Sequence, residues 1–326
     1  MSSIKVDEAR KIILEKIEIQ GTEKVPINEA LGRILSEDIV ARRNNPPMDN
    51  SAMDGYALIA NDIRSATPET PVTLDIIEDL AAGYSPELVV KPGQAVRIMT
   101  GAPIPEGANA VIMQEDTERD GNRVQVKDKA EIRENIRDAG EDVREGETVI
   151  NKGVDLLPAH IGMIAVVGRS SVLVGRRPSV AILSTGDEIM DLDDTLSGPC
   201  IYNSNGYMLA AQIKSAGGIP SYLGIARDNE EDLMEKFKWA LQCDMVVSSG
   251  GVSVGDEDHV KDAVEAQGSL HFWRLAIKPG RPLALGQIGA VPFVGLPGNP
   301  AAAMGTFMRV ARPLILRLAG ATEVEP

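Results

Sequence analysis

From about position 180 the chain alternates short apolar runs with amphipathic segments, and this restricts its fold more than any other feature. Strand-like runs are read at 180–184, 221–226, 245–248, 272–277, 283–286 and 292–295, and helical periodicity at 204–216, 229–241, 258–266 and 301–318. Strands of a parallel sheet are covered by helices on both faces, so they read as continuous Val, Ile and Leu. The expectation is an α/β multidomain protein in which 177–326 is a doubly wound, mostly parallel sheet.

The earlier part reads differently. Val6, Ala9, Ile13 and Ile17 stand at helical spacing within 4–19, and 29–35 repeats the pattern briefly. Asn44, Asn45, Pro46 and Pro47 then break the chain. Between 48 and 140, short strands at 72–77, 95–98, 110–113 and 123–126 are separated by Pro and Gly turns, which predicts a small β-rich domain. A helix at 159–167 and a strand at 171–174 precede the alternating part.

Composition excludes several classes of function. A net charge of −15 disfavours a general nucleic-acid surface, and an anionic ligand would need local cations or a metal. Cys200 and Cys243 lie too far apart in sequence for a metal-ligand pair and read as free thiols in a reducing compartment. No apolar run is long enough to cross a bilayer and no signal-peptide core is present, so a cytoplasmic protein without a membrane partner is expected. His160, His259 and His271 lack metal-site spacing, and no GxSxG elbow occurs.

Ligands of open α/β sheets bind beyond the carboxyl ends of the strands. Four glycine-rich or charged loops follow expected strands here: STGDE at 184–188, SSGGVSVGDED at 248–258, KPGR at 278–281 and GLPGNP at 295–300. Ser249, Gly250, Gly251, Ser253 and Gly255 form a loop that opens a helix, an arrangement that points backbone N–H groups at an anion. A tight strand-to-helix turn with an acidic start gives the same pattern. Glu188, Asp256 and Asp258 offer hard oxygen ligands for Mg²⁺, and Asp187 and Asp228 either join them or cap helices. Arg274, Lys278 and Arg281 supply cations for an oxyanion, with Gly280 between the last two. Pro297, Gly298 and Asn299 complete the fourth loop. Far upstream, Asp49, Asn50, Ser51 and Asp54 crowd one polar stretch, and Thr100 precedes Gly101; both read as turns or as functional loops.

The motifs DNSAMDGYA, RIMTGAPIPEGANAVIMQED, ILSTGDE, SSGGVSVGDED, AIKPGRP and GLPGNP occur in that order. Together they resemble the MoeA family, molybdopterin molybdenumtransferases related to the gephyrin E domain, over essentially the whole chain. The resemblance implies a MogA-like α/β domain at 177–326, a small β-rich domain at 48–140, and an elongated connecting and dimerisation domain formed by 1–47 with 141–176. It implies that adenylylated molybdopterin and molybdate are converted to molybdenum cofactor and AMP with Mg²⁺. It also implies a homodimer with a site shared between subunits, and a molybdopterin adenylyltransferase as a possible partner. Matched by motif, the functional positions are Asp54, Thr100, Glu188, Asp228, Asp258, Arg274 and Lys278. Arg274 stands where the family often has Lys, and Ala301 and Ala302 follow GLPGNP where Val and Ser are common. Family members usually continue beyond the equivalent of Pro326 into a small β domain, so molybdate insertion is expected to be affected more than pterin binding. Two other readings are a molybdopterin carrier or scaffold, and a molybdopterin adenylyltransferase.

Overall fold

The computed structural model describes residues 6–15, 17–227, 229–250, 259–274 and 282–324. They form two compact units: Val40–Val149 with Val166–Gly168, and Met1–Ile39 with Ile150–Ala165 and Arg169–Pro326. The first contains the whole of the expected β-rich segment. In the second, the chain before Ile39 and the helix after Ile150 cluster with the α/β residues.

The smaller unit is built on a six-stranded sheet. Its strands are β1 (Gly55–Leu58), β2 (Val72–Leu80), β3 (Gln94–Ile98), β4 (Ala110–Met113), β5 (Thr117–Asp120) and β6 (Arg123–Val126). They lie in the order β4-β1-β3-β2-β6-β5, and only β2 with β3 is parallel. Strand periodicity sends alternate residues to opposite faces. Tyr56 and Leu58 join Leu74, Val124 and Val126 in one core, while Ala57 joins Val96, Ile98 and Val111 in another. Gly55 is required by packing, since a Cβ there would lie 1.9 Å from the Ile112 carbonyl oxygen. The four strands expected here are present, two of them longer than expected; β1 and β5 extend the set.

The larger unit carries a second six-stranded sheet: β7 (Ser179–Thr185), β8 (Ile219–Ala226), β9 (Met245–Ser249), β10 (Gly268–Arg274), β11 (Pro282–Ile288) and β12 (Val291–Leu296). The order is β8-β7-β9-β12-β11-β10. β8, β7, β9 and β12 run parallel, and β11 is antiparallel to both of its neighbours. The direction follows from the connections: parallel neighbours need a crossover, whereas β11 and β12 are joined by a tight turn at Gly289.

The helices are α1 (Val6–Leu14), α2 (Pro158–Val166), α3 (Ser204–Ser215), α4 (Glu230–Ala240), α5 (His259–Gln267), α6 (Pro300–Thr306) and α7 (Arg312–Leu318). Val180, Ile182, Met245 and Val247 face Leu209 and Ile213 of α3, Ala303 of α6 and Leu314 of α7. Ala181, Leu183 and Val246 face Leu233 and Phe237 of α4 and Val260 and Val264 of α5. Phe237 meets Phe293 edge to face, with ring centroids 6.2 Å apart. Aliphatic side chains make up most of both layers, as expected of a chain with 3% aromatic residues.

Two expectations are corrected. The segment 29–35 is not a helix: a 3-10 turn at Ile27–Glu29 ends before Gly32, whose φ of +69° leaves the helical region. The final helix is not continuous, because a π turn at Phe307–Ala311 separates α6 from α7. Pro313 lies just beyond it and has no N–H for an i−4 carbonyl, and the wider turn accommodates that loss. An unanticipated strand, Thr22–Pro26, pairs antiparallel with Ser171–Gly175. Among the described residues no helix is long and apolar enough to cross a membrane.

Candidate active site

The parallel strands of the larger sheet deliver three loops to one edge. β7 ends at Thr185 and turns at Gly186; β9 ends at Ser249 and turns at Gly250; β12 ends at Leu296 and runs into Pro297 and Gly298. Gly250 has φ of +89°, and a Cβ on it would lie 2.5 Å from the Thr185 carbonyl oxygen. Its N–H donates to the Leu296 carbonyl at 3.2 Å. Glycine is thus demanded twice, by conformation and by the close approach of the neighbouring strand end.

Side chains at the N-terminus of α3 join these loops. Asn203 Oδ1 accepts from the Gly206 N–H at 3.0 Å, capping α3, and from Ser184 Oγ at 2.9 Å. Its Nδ2 donates to Tyr222 Oη of β8 at 2.6 Å. Asn205 Nδ2 donates to Ser249 Oγ at 2.7 Å and to the Gly298 carbonyl at 2.8 Å. In sequence, 204–216 reads only as a helix and neither asparagine stands out. Asn203 was recoverable as the capping residue before the periodic run; Asn205 carries no local signal, since its partners lie 44 and 93 residues away.

Of the expected residues in this unit, Ser249 is buried, Gly250 is half-buried and Pro297 is buried, while Gly298 and Asn299 are exposed. Asn299 Oδ1 accepts from the Ala302 N–H at 3.1 Å and caps α6. Glu188 is exposed, and its carboxylate folds back to within 2.7 Å of where a Gly186 Cβ would stand. Among the described residues its side chain makes no hydrogen bond or ion pair. No helix follows Gly186 for Asp187 to cap: Ile189–Met190 is extended and pairs with Ile201–Tyr202. The Asp187 carbonyl accepts from the Arg227 guanidinium at 3.3 Å. Arg274 is the last residue of β10, opposite Pro282, and only its backbone is described. Asp228, Gly251, Ser253, Gly255, Asp256, Asp258, Lys278, Gly280 and Arg281 lie outside the described residues. The cap of α4 is Asn229, which accepts from the Asp232 N–H at 3.0 Å. Among the described residues no group of three or more His, Cys, Asp or Glu forms a metal cluster.

The smaller unit brings its two polar motifs together. Asp54 Oδ1 accepts from both the backbone N–H and the Oγ1 of Thr100, each at 2.7 Å. These two bonds, backbone first, hold the Asp54 carboxyl below its ordinary value of 3.8. The Ser51 carbonyl accepts from the Gly101 N–H at 2.8 Å, so the loops are joined at two levels. Asp49 is occupied by Arg133 at 2.6 Å and by the Ala139 N–H at 2.9 Å, which gives it a structural task.

Comparison with known proteins agrees with both units. Residues 4–168 match the family model of the MoeA N-terminal region (domain I and II), and residues 181–317 match that of a probable molybdopterin binding domain. The chain is 40% identical over 306 residues to a molybdopterin molybdenumtransferase of Nostoc sp., covering 92% of this chain and 70% of that protein. It is 38% identical over 318 residues to the Haemophilus influenzae protein of the same name, covering 97% and 78%. The crystal structure of the molybdopterin biosynthesis moeA protein from Pyrococcus horikoshii superposes with a TM-score of 0.85 at 34% identity, covering all of this chain and 82% of that one.

Proposed function

The chain belongs to the MoeA family of molybdopterin molybdenumtransferases, and from that membership we propose that it inserts molybdenum into molybdopterin. The substrate is the adenylylated pterin: molybdate exchanges oxygens, released as water, for the pterin's sulfur donors, water cleaves the phosphoanhydride, and molybdenum cofactor and AMP leave. The relatives are named molybdopterin molybdenumtransferase, which supports molybdenum insertion over the carrier and adenylyltransferase readings.

The observation that carries the reading is the convergence of the Gly186, Gly250 and Gly298 turns at one sheet edge, tied by Gly250 to Leu296 and by Asn205 to Ser249 and Gly298. Glycine backbone at the carboxyl ends of parallel strands can approach a phosphate or a pterin without side-chain interference. We assign to this site the cations Arg274, Lys278 and Arg281 of the sequence, which a doubly charged oxyanion needs in a protein of net charge −15. We assign pterin and phosphate contacts to Ser249, Gly250, Gly251, Ser253, Gly255, Gly280, Pro297, Gly298 and Asn299.

Glu188 fits a divalent cation, being an exposed hard-oxygen donor at a strand end with no competing partner among the described residues. With Asp228, Asp256 and Asp258 it would hold Mg²⁺, which supplies charge neutralisation at the anhydride when bound. Asp54, kept ionised by Thr100, would act from the smaller unit of a second copy in a homodimer. A molybdopterin adenylyltransferase is the natural supplier of the substrate.

Activation of a molybdenum-free molybdoenzyme tests this reading. With adenylylated molybdopterin and Mg²⁺, the chain should restore activity in proportion to molybdate. Lys278→Ala should shift the molybdate requirement upward by about ten- to a hundredfold, the equivalent of one charge-assisted contact of roughly 1.5–3 kcal/mol. A chain that binds molybdopterin but never yields active cofactor would favour the carrier.

A further inference from the structure

We propose that Asn205 is a positioning residue that fixes the distance between the Ser249–Gly250 loop and the Pro297–Gly298 loop, and so sets the pterin-binding geometry. The inference rests on the function proposed above and concerns a residue that no motif of that reading contains.

The amide orientation is determined by chemistry. The Gly298 carbonyl can only accept, so the atom 2.8 Å from it is Nδ2, which also reaches Ser249 Oγ at 2.7 Å. One side chain of α3 therefore holds the end of β9 and the loop after β12 at once. The loops are in close approach where it acts, a Cβ on Gly298 lying 3.9 Å from the Gly250 α-carbon. Gly250 in turn lies close against the end of β7, where a Cβ on it would meet the Thr185 carbonyl oxygen at 2.5 Å. Asn205 Oδ1 is buried and unpartnered among the described residues. Among the described residues the amide's acceptor is thus unused, and its two donor bonds are what tie Asn205 to the loops. Capping of α3 is already done by Asn203. What Asn205 supplies that Ala, Ser or Asp cannot is a planar NH₂ that donates to two loops together.

The test is steady-state release of AMP from adenylylated molybdopterin by the whole chain, together with calorimetric binding of molybdopterin. Asn205→Ala is expected to raise KM for the adenylylated pterin, and Kd for molybdopterin, by about tenfold, one lost bridging contact. kcat and the molybdate requirement should stay within about threefold. Asn205→Asp matches the side chain in size but cannot donate to the Gly298 carbonyl, so it should behave like Asn205→Ala; it carries the test if the alanine variant does not fold. Unchanged KM and Kd in the folded variant would overturn the proposal, even with a lowered Tm. If the parent releases no AMP yet binds molybdopterin, and the variant binds about tenfold more weakly, the proposed function fails while the clasp stands.

Discussion

At the scale of single residues, backbone conformation and hydrogen-bond capacity decide what each position can be. Gly250 combines a φ of +89° with a carbonyl oxygen 2.5 Å from any added Cβ. Gly250→Ala should therefore lose at least about 1–3 kcal/mol of stability in urea unfolding, with β7 forced away from β9. Asp54 offers a finer reading. Its carboxyl is held below 3.8 by two bonds from Thr100, so the stabilisation is full above the ordinary carboxylate range and is lost as pH falls through the depressed value. Thr100→Ala removes the hydroxyl bond and should raise the Asp54 pKa toward its ordinary value in an NMR titration. A titration that does not move would place the cause elsewhere. The chemistry of these residues was legible in sequence as glycines after strands and acids in polar runs. The Asp54–Thr100 pairing was not, since the two stand 46 positions apart.

At the scale of elements, periodicity marked most strands and helices because burial on two faces leaves a continuous apolar signature. It missed Thr22–Pro26, a mostly exposed strand with only Val25 buried, and it ran through the π turn because such a turn keeps the apolar face. Asn299 reads in sequence as part of a binding loop, and in the structure its side chain caps α6. Asn299→Ala should cost about 1 kcal/mol in unfolding experiments, whereas Asn299→Asp, which keeps the cap acceptor, should cost much less. The start of β7 is fastened to the start of β9 by Asp244, which accepts from Arg176 at 2.7 Å and from the N–H and Oγ of Ser179 at 2.7 and 2.8 Å. Burial alone would raise this carboxyl, but the three donors outweigh it and hold the pKa low. Asp244→Ala should then lose roughly 1.5–3 kcal/mol at neutral pH. That difference should shrink as pH falls below 3.8, where protonation weakens the same bonds in the parent. A gap that stays constant into acid would argue against an ionised Asp244.

At the scale of the whole molecule, Asp54 and Thr100 belong to one compact unit, and Glu188 with the Gly186, Gly250 and Gly298 turns to the other. If the site is shared in a homodimer, mixing inactive Asp54→Ala and Glu188→Ala chains should restore part of the activity through hybrid dimers, with one intact site in each. Inactivity that persists once subunit exchange is demonstrated would assign both residues to one chain. The carboxylates and cations proposed around the loops were legible as motifs, whereas the order in which three strand ends meet depends on the β7-β9-β12 adjacency, which sequence alternation alone leaves open. The central claim, transfer of molybdenum coupled to loss of AMP, is tested most directly by the stoichiometry of one reaction. With adenylylated molybdopterin, Mg²⁺ and molybdate, the account predicts AMP and active molybdenum cofactor rising together in equal amounts. AMP appearing without cofactor at saturating molybdate, or substrate bound with neither product formed, would contradict it.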